Sequence, residues 1–236
     1  AGSDKFVDFA PKGGETYYSA MKIGPGNTLY GVRNVKGIFT YKAGDAKPAV
    51  FASSGLGNII DIDFDANKNV WGVGNNADVY RVKPDKSVAK FAFKANLRAV
   101  RVYNNYLYVA GDIDKVVKVW RFPINGDELG AVEEVFNFTD KVGANFAIYC
   151  ITFSADGYMY IGTDAPAAIY LLTPGGALEA LYPGQFVPKV ISFAWGLGTD
   201  LFMTREVTIE AEKVKYQQLI FRINTQKEGA PQFGIL

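Results

Sequence analysis

Five hexapeptides end on a side chain that could do chemistry: LYGVRN on Asn34, VWGVGN on Asn75, LYVAGD on Asp112, MYIGTD on Asp164 and LFMTRE on Glu206. Amides and carboxylates hydrogen-bond hydroxyl groups, and two acids at a suitable separation, such as Asp112 and Asp164, perform general acid–base work on a glycoside or an ester. A second set enters the repeated strand that precedes each hexapeptide: Tyr17, Tyr18, Asn58, Arg98, Phe146, Tyr149 and Lys189. Its aromatic rings would stack on a sugar while the amides and carboxylates bond the hydroxyls. Asn and Asp also end strands for conformational reasons alone. Identical turns would need identical residues, however, and these positions carry acids, amides, cations and aromatics in turn.

The chain contains no histidine and a single cysteine, Cys150. Without imidazole there is no Ser-His-Asp or Cys-His triad and no His-ligated metal site. Cys150 stands in an alternating apolar run, the place of a buried thiol, and no internal disulfide is possible. No P-loop, dinucleotide fingerprint or EF-hand is present. The stretch DFDANKN (63–69) looks like a calcium loop but lacks the glycine and the closing glutamate, and it falls where the other repeats have ordinary turns. No metal and no cofactor are expected from these residues. The net charge is +1, with 25 basic and 24 acidic residues spread through the chain, which argues against nucleic acid as a partner. No apolar run approaches the roughly 18 residues of a spanning helix, so membrane insertion is not expected. The opening AGSDKF resembles a mature N-terminus or the scar of a removed tag, and Asn137-Phe138-Thr139 fits the glycosylation pattern; on the first reading the expected location is secreted or periplasmic.

Strands must position these side chains. Before each hexapeptide lies an alternating tetrapeptide, AMKI (20–23), DIDF (61–64), AVRV (99–102), CITF (150–153) or VISF (190–193), joined to it by turns rich in Gly, Asn and Asp. A third strand follows as IFTY, VYRV, VWRF, IYLL and IFRI, and a fourth as AVFAS, KFAFK, EVFNF and ALEALY. Four antiparallel strands recurring about every 40 to 50 residues predict an all-β propeller of five four-stranded blades, a single domain over 1–236. Two segments compete for the outer strand of the last blade. The N-terminal KFVDFA (5–10) is expected to fill it and close the ring, with QFGIL (232–236) alongside or loose. A hairpin over 207–217 should project from the fifth blade and could take a protein partner. Alignment of the tetrapeptides places Lys22, Asp63, Arg101, Thr152 and Ser192 at one level of the channel, with Asp61 on the same face as Asp63.

The phrases VWRFPINGDELG (119–130) and ITFSADGYMYIG (151–162), with the polar residues that end the LYV-type strands, resemble propellers of the NHL-repeat and gluconolactonase-like group. The resemblance implies the propeller fold. Its gluconolactonase-like members imply a divalent metal at the channel mouth, with Glu15 or Asp61, Asn58, Asn145 and Asp164 in the ligand roles. That group opens with Glu-Gly-Pro and has six blades, neither of which is seen in this sequence. The sequence therefore predicts a non-enzymatic recognition propeller that binds a carbohydrate or small polar molecule at the mouth. A carboxylate- or metal-dependent hydrolase of the lactonase or glycosidase kind and a protein-binding scaffold are the alternatives.

Overall fold

Alternating apolar residues and tight polar turns build the strands of the computed structural model, which describes residues 18–33, 37–75, 78–183, 189–207 and 217–232. The first sheet holds β1 (Tyr18–Gly24), β2 (Thr28–Arg33), β3 (Gly37–Tyr41) and β4 (Ala49–Ala52), and the second β5 (Asp61–Phe64), β6 (Val70–Val73), β7 (Asp78–Val82) and β8 (Val88–Ala92). The third holds β9 (Asn96–Tyr103), β10 (Tyr106–Ile113), β11 (Val116–Asn125) and β13 (Glu133–Asn137), with β12 (Glu128–Leu129) folded back on the end of β11. After a single helical turn, α1 (Thr139–Val142), the fourth follows as β14 (Ile148–Phe153), β15 (Met159–Thr163), β16 (Ala167–Leu172) and β17 (Leu178–Pro183). The fifth shows β18 (Val190–Trp195), β19 (Asp200–Val207) and β20 (Gln217–Asn224). Every sheet is antiparallel and runs in chain order from an inner strand outward, which is the five-bladed β-propeller that the repeats predict.

The chain divides into two compact units, residues 1–92 with 232–236 and residues 93–231. The first carries sheets one and two, with β1 lying against β5; the second carries the other three, with β14 between β9 and β18. The expected closing strand 5–10, its competitor 233–236 and the tip of the expected hairpin, 208–216, lie outside the described residues.

In the first unit the sequence that resembles a calcium loop is a turn organised by one carboxylate. Asp65 is 4% exposed; it accepts the Asn69 backbone N–H and the Asn69 amide at 2.9 Å each and the Trp71 indole N–H at 2.8 Å. A buried polar group must find partners, and this one has three. Trp71 is thereby fully buried with its only donor satisfied, while Lys68 takes a positive φ of 64° to close the turn. On the inner strands Lys22 meets Asp63 at 3.0 Å, an ion pair whose side chains are each 11% exposed. In the second unit fully buried Phe138 is packed edge-on by Phe136, Phe146 and Tyr170. Burying a ring of this size stabilises the fold by about 2–3 kcal/mol.

The inner strands share an irregularity. In β1, β9, β14 and β18 one residue too many faces the second strand, so Ser19, Arg98, Tyr149 and Ile191 have no cross-strand partner. These are β-bulges, which bend the strand and re-aim the side chain of the extra residue. Register also corrects one sequence reading. Lys22, Asp63, Arg101 and Thr152 stand opposite the hexapeptide aromatics Tyr30, Trp71, Tyr108 and Tyr160, as aligned, but in the fifth sheet Phe202 faces Ala194. Ser192 is one step of two residues away, against Thr204, because VISF and SFAW both alternate and the turn is the shorter Gly196–Thr199.

Beyond β20 the chain returns to the fourth sheet as a strap. Ala155 donates to the Glu228 carbonyl at 2.8 Å and Ala230 to the Phe153 carbonyl at 2.9 Å. Lys227 pairs with Asp156 at 2.5 Å and lies 3.7 Å over the Tyr158 ring. At Gly229 a side chain would collide with Trp195, 2.3 Å away at Cγ.

Two outcomes are expected. Asp65→Ala leaves three donors without their acceptor, at roughly 1 kcal/mol each, so urea denaturation should show a loss of about 3 kcal/mol; a loss under about 0.5 kcal/mol would remove Asp65 as the organiser of that turn. At the strap, Lys227 and the Ser154 hydroxyl hold the Asp156 carboxyl below its ordinary 3.8, and Asp156 holds the Lys227 ammonium above 10.5. The pair's contribution is therefore full between those ordinary values. It is lost as pH falls through the depressed Asp156 value or rises through the raised Lys227 value. Hydrogen exchange at Ala155 and Ala230, corrected for intrinsic rate, should be flat between about pH 5 and 9 and accelerate in acid, and Asp156→Asn should abolish the acid limb.

Candidate functional site

The bulge in β14 turns Tyr149 out of the ladder, and the flanking inner strands bring two cations to its ring. Arg98, the bulged residue of β9, places its guanidinium carbon 5.7 Å from the ring centroid, and Lys189, which leads into β18, places its ammonium 4.7 Å from it. Both are within the range at which a cation is attracted by an aromatic face. The phenol hydroxyl donates to Asp164 Oδ2 at 2.8 Å, and the Ala147 backbone N–H donates to Oδ1 at 2.7 Å. Asp164 follows β15, at the same end of the sheet where β14 begins, so antiparallel pairing makes the two neighbours.

Asp164 is exposed while Tyr149, Arg98 and Lys189 are half-buried. Arg98 Nε is buried with no hydrogen-bond partner, and no described acid forms an ion pair with Arg98. A buried donor without an acceptor costs about 1–3 kcal/mol, so Arg98 is held here at some expense to stability. The cluster thus joins an accessible carboxylate, held by two donors, to a phenol and two positive charges.

The other predicted residues are placed as follows. Asp112 lies half-buried in β10 opposite Asn96, and no hydrogen bond or ion pair joins it to Asp164. Phe146 packs into the core around Phe138 instead of standing beside Tyr149. In the first unit Tyr18 opens β1 opposite Arg33, Asn75 is an exposed turn residue, and Asn58 is exposed with its carbonyl so close to Gly74 that a side chain there would overlap it. Glu206 is in β19 opposite Gln218, and Tyr17 and Asn34 lie outside the described residues.

One member of the cluster, the Ala147 N–H, and one bulge residue of the first unit, Ser19, escaped the sequence. Ser19, at the bulge equivalent to Arg98 and Tyr149, bonds the Ile59 carbonyl at 3.1 Å; its offset from the hexapeptide aromatic is the signal that could have found it. The Ala147 N–H has no sequence signal, since every residue but proline has one.

The metal implied by the resemblance does not fit the described residues. No three acids or thiols among them are grouped to hold an ion. Asp164 gives an oxygen to each of two protein donors, Asn145 is exposed in a left-handed conformation with φ of 70°, and Glu15 lies outside the described residues. The two cations at the Tyr149 ring, whose hydroxyl donates to Asp164, also oppose a third positive charge. Away from this cluster, a groove of about 540 Å³ is lined by Phe136, Val142, Tyr170 and Leu178 and holds none of the predicted site residues.

No family model matches the chain, and a comparison with characterised proteins by sequence found no match. Solved structures do match. A luciferin-regenerating enzyme superposes with a TM-score of 0.70 at 13% identity, over 94% of this chain and 83% of its own. Regucalcin from Agrobacterium tumefaciens, a calcium-binding protein, gives 0.69 at 15% identity over 92% and 78%, and a gluconolactonase from Xanthomonas campestris gives 0.64 at 13% over 78% and 68%. These neighbours overturn the expectation of a non-enzymatic recognition propeller. The fold on which it rested is one that a luciferin-regenerating enzyme and a gluconolactonase use for catalysis, so neither the repeats nor the absent Glu-Gly-Pro opening argues against an enzyme. The chain is a β-propeller with the fold of the gluconolactonase and regucalcin structures.

Proposed function

We propose that this propeller is a hydrolase of the lactonase class, opening a polar cyclic ester at the Tyr149 cluster. The observation that carries the reading is the exposed Asp164 carboxylate, fixed by the Ala147 N–H and by the hydroxyl of Tyr149, whose ring has the Lys189 ammonium 4.7 Å from its centroid. The gluconolactonase among the structural neighbours supports it.

Each group has a role that its geometry permits. Asp164 takes a proton from the attacking water, whose oxygen forms the new bond to the ester carbon. The Lys189 ammonium stabilises the negative charge that develops on the carbonyl oxygen. When the ring C–O bond breaks, the leaving oxygen takes the Tyr149 hydroxyl proton, and the phenol recovers one from protonated Asp164. The proton removed from water thus ends on the product alcohol, and the enzyme returns to its starting state. No step needs imidazole, which the chain lacks.

Purified protein offered a panel of five- and six-membered sugar-acid lactones should release acid, followed by pH-stat. Asp164→Asn should lower kcat by about 100-fold or more, and Tyr149→Phe, which keeps the ring between its cations, by roughly 10-fold. Lys189→Met should cost about 100-fold, mostly in kcat. The proposal is abandoned if no lactone is opened above the buffer rate, or if Asp164→Asn leaves turnover unchanged.

A further inference from the structure

The cluster carries more positive charge than the proposed reaction uses. Lys189 suffices for the carbonyl oxygen, and Asp164, which accepts from the Tyr149 hydroxyl, serves as the base. Arg98 has no assigned task, yet its side chain is half-buried, with Nε out of reach of water and of any acceptor. Desolvating part of a guanidinium without an acceptor is costly, and protein interiors rarely leave such a group alone without a reason. The bulge that turns Arg98 out of β9 is one more irregularity maintained at this spot.

From this we infer that Arg98 is the receptor for a carboxylate on the substrate, so that the cyclic ester opened here is the monolactone of a dicarboxylic acid and the product a dicarboxylate. The inference rests on the hydrolase reading and narrows it. A guanidinium offers a planar fork of donors that matches a carboxylate's two oxygens, which an ammonium cannot do. The Tyr149 ring under the guanidinium fixes the plane of that fork. Arg98 and Lys189 reach the ring from strands on either side of β14, so a ligand spanning the ring meets one cation at each end. The Arg98 end binds the substituent that does not react; the Lys189 end holds the ester that does. Binding energy from that remote carboxylate positions the ring for attack.

Calorimetric titration with open-chain acids separates this inference from the reaction itself. Glucarate, a dicarboxylate, should bind at least about 10-fold more tightly than gluconate, which has one carboxylate, and sorbitol should bind more weakly than either. Arg98→Met should bring glucarate down to the gluconate level while changing gluconate by less than about 3-fold; Arg98→Lys should restore part of the difference. Should Arg98→Met fail to fold, Arg98→Lys alone must lower the glucarate preference. Equal affinity for glucarate and gluconate, a preference untouched by either Arg98 substitution, or no detectable binding of any acid would overturn the inference. Lactone turnover without a preference for acid-bearing lactones would overturn it and leave the hydrolase reading standing. Arg98-dependent glucarate binding without turnover of any lactone would leave Arg98 as a carboxylate receptor but overturn the hydrolase reading, and with it the lactone as substrate.

Discussion

The extra residue in the inner strands is the constraint from which the candidate site follows. A strand in register presents side chains alternately to the two faces of its sheet, and nothing in that arrangement would bring side chains of three sheets together. One added residue breaks the alternation where four of the five inner strands begin, all but β5, and frees a side chain from its cross-strand partner. In the second unit this frees Arg98 and Tyr149, and the packing of β9 and β18 on β14 brings Lys189 to the same ring. The bulge also spares the ladder, because a residue without a cross-strand partner can be Ser, Arg, Tyr or Ile without disturbing its neighbours.

The fold was readable because each repeat repeats its physics. The hexapeptides, their inner tetrapeptides and the third and fourth strands occupy the predicted places, since period-two alternation bounded by Gly, Asn and Asp has few other solutions. Where two alternating frames overlap, the pattern is silent about which one pairs, and Ser192 was misplaced by two residues for that reason. The turn at DFDANKN was legible as a turn. That its Asp65 satisfies the Trp71 indole was not, since the bond joins residues whose approach depends on the closed hairpin.

The site was legible in its ingredients and not in its combination. Arg98, Tyr149, Asp164 and Lys189 were all singled out as residues at strand entries and ends, and the structure joins these four into one contact network. Phe146 occupies the same kind of position but is apolar, and the core around Phe138 claims it. Asp112 matches Asp164 in the repeat yet lacks its company, because the residue across from it is Asn96 and no tyrosine stands at the β9 bulge. The expectation of simple recognition came from counting a rim of polar residues. It gave no weight to the difference between dispersed acceptors and a carboxylate fixed beside cations.

The strap that follows β20 bears on how the chain is made. The turn between β14 and β15 donates a backbone hydrogen bond to residue 228 and accepts one from residue 230, at the far end of the described chain. During synthesis the fourth sheet can pair its own strands as soon as they emerge, yet this turn must wait until the whole fifth sheet has been added. Until then the Ala155 N–H and the Phe153 carbonyl lack their strap partners and face solvent or a chaperone. Residues made after the fifth sheet thus lock a sheet built well before them, and a chain truncated after β20 would keep all the strands of that sheet while leaving its turn unfinished.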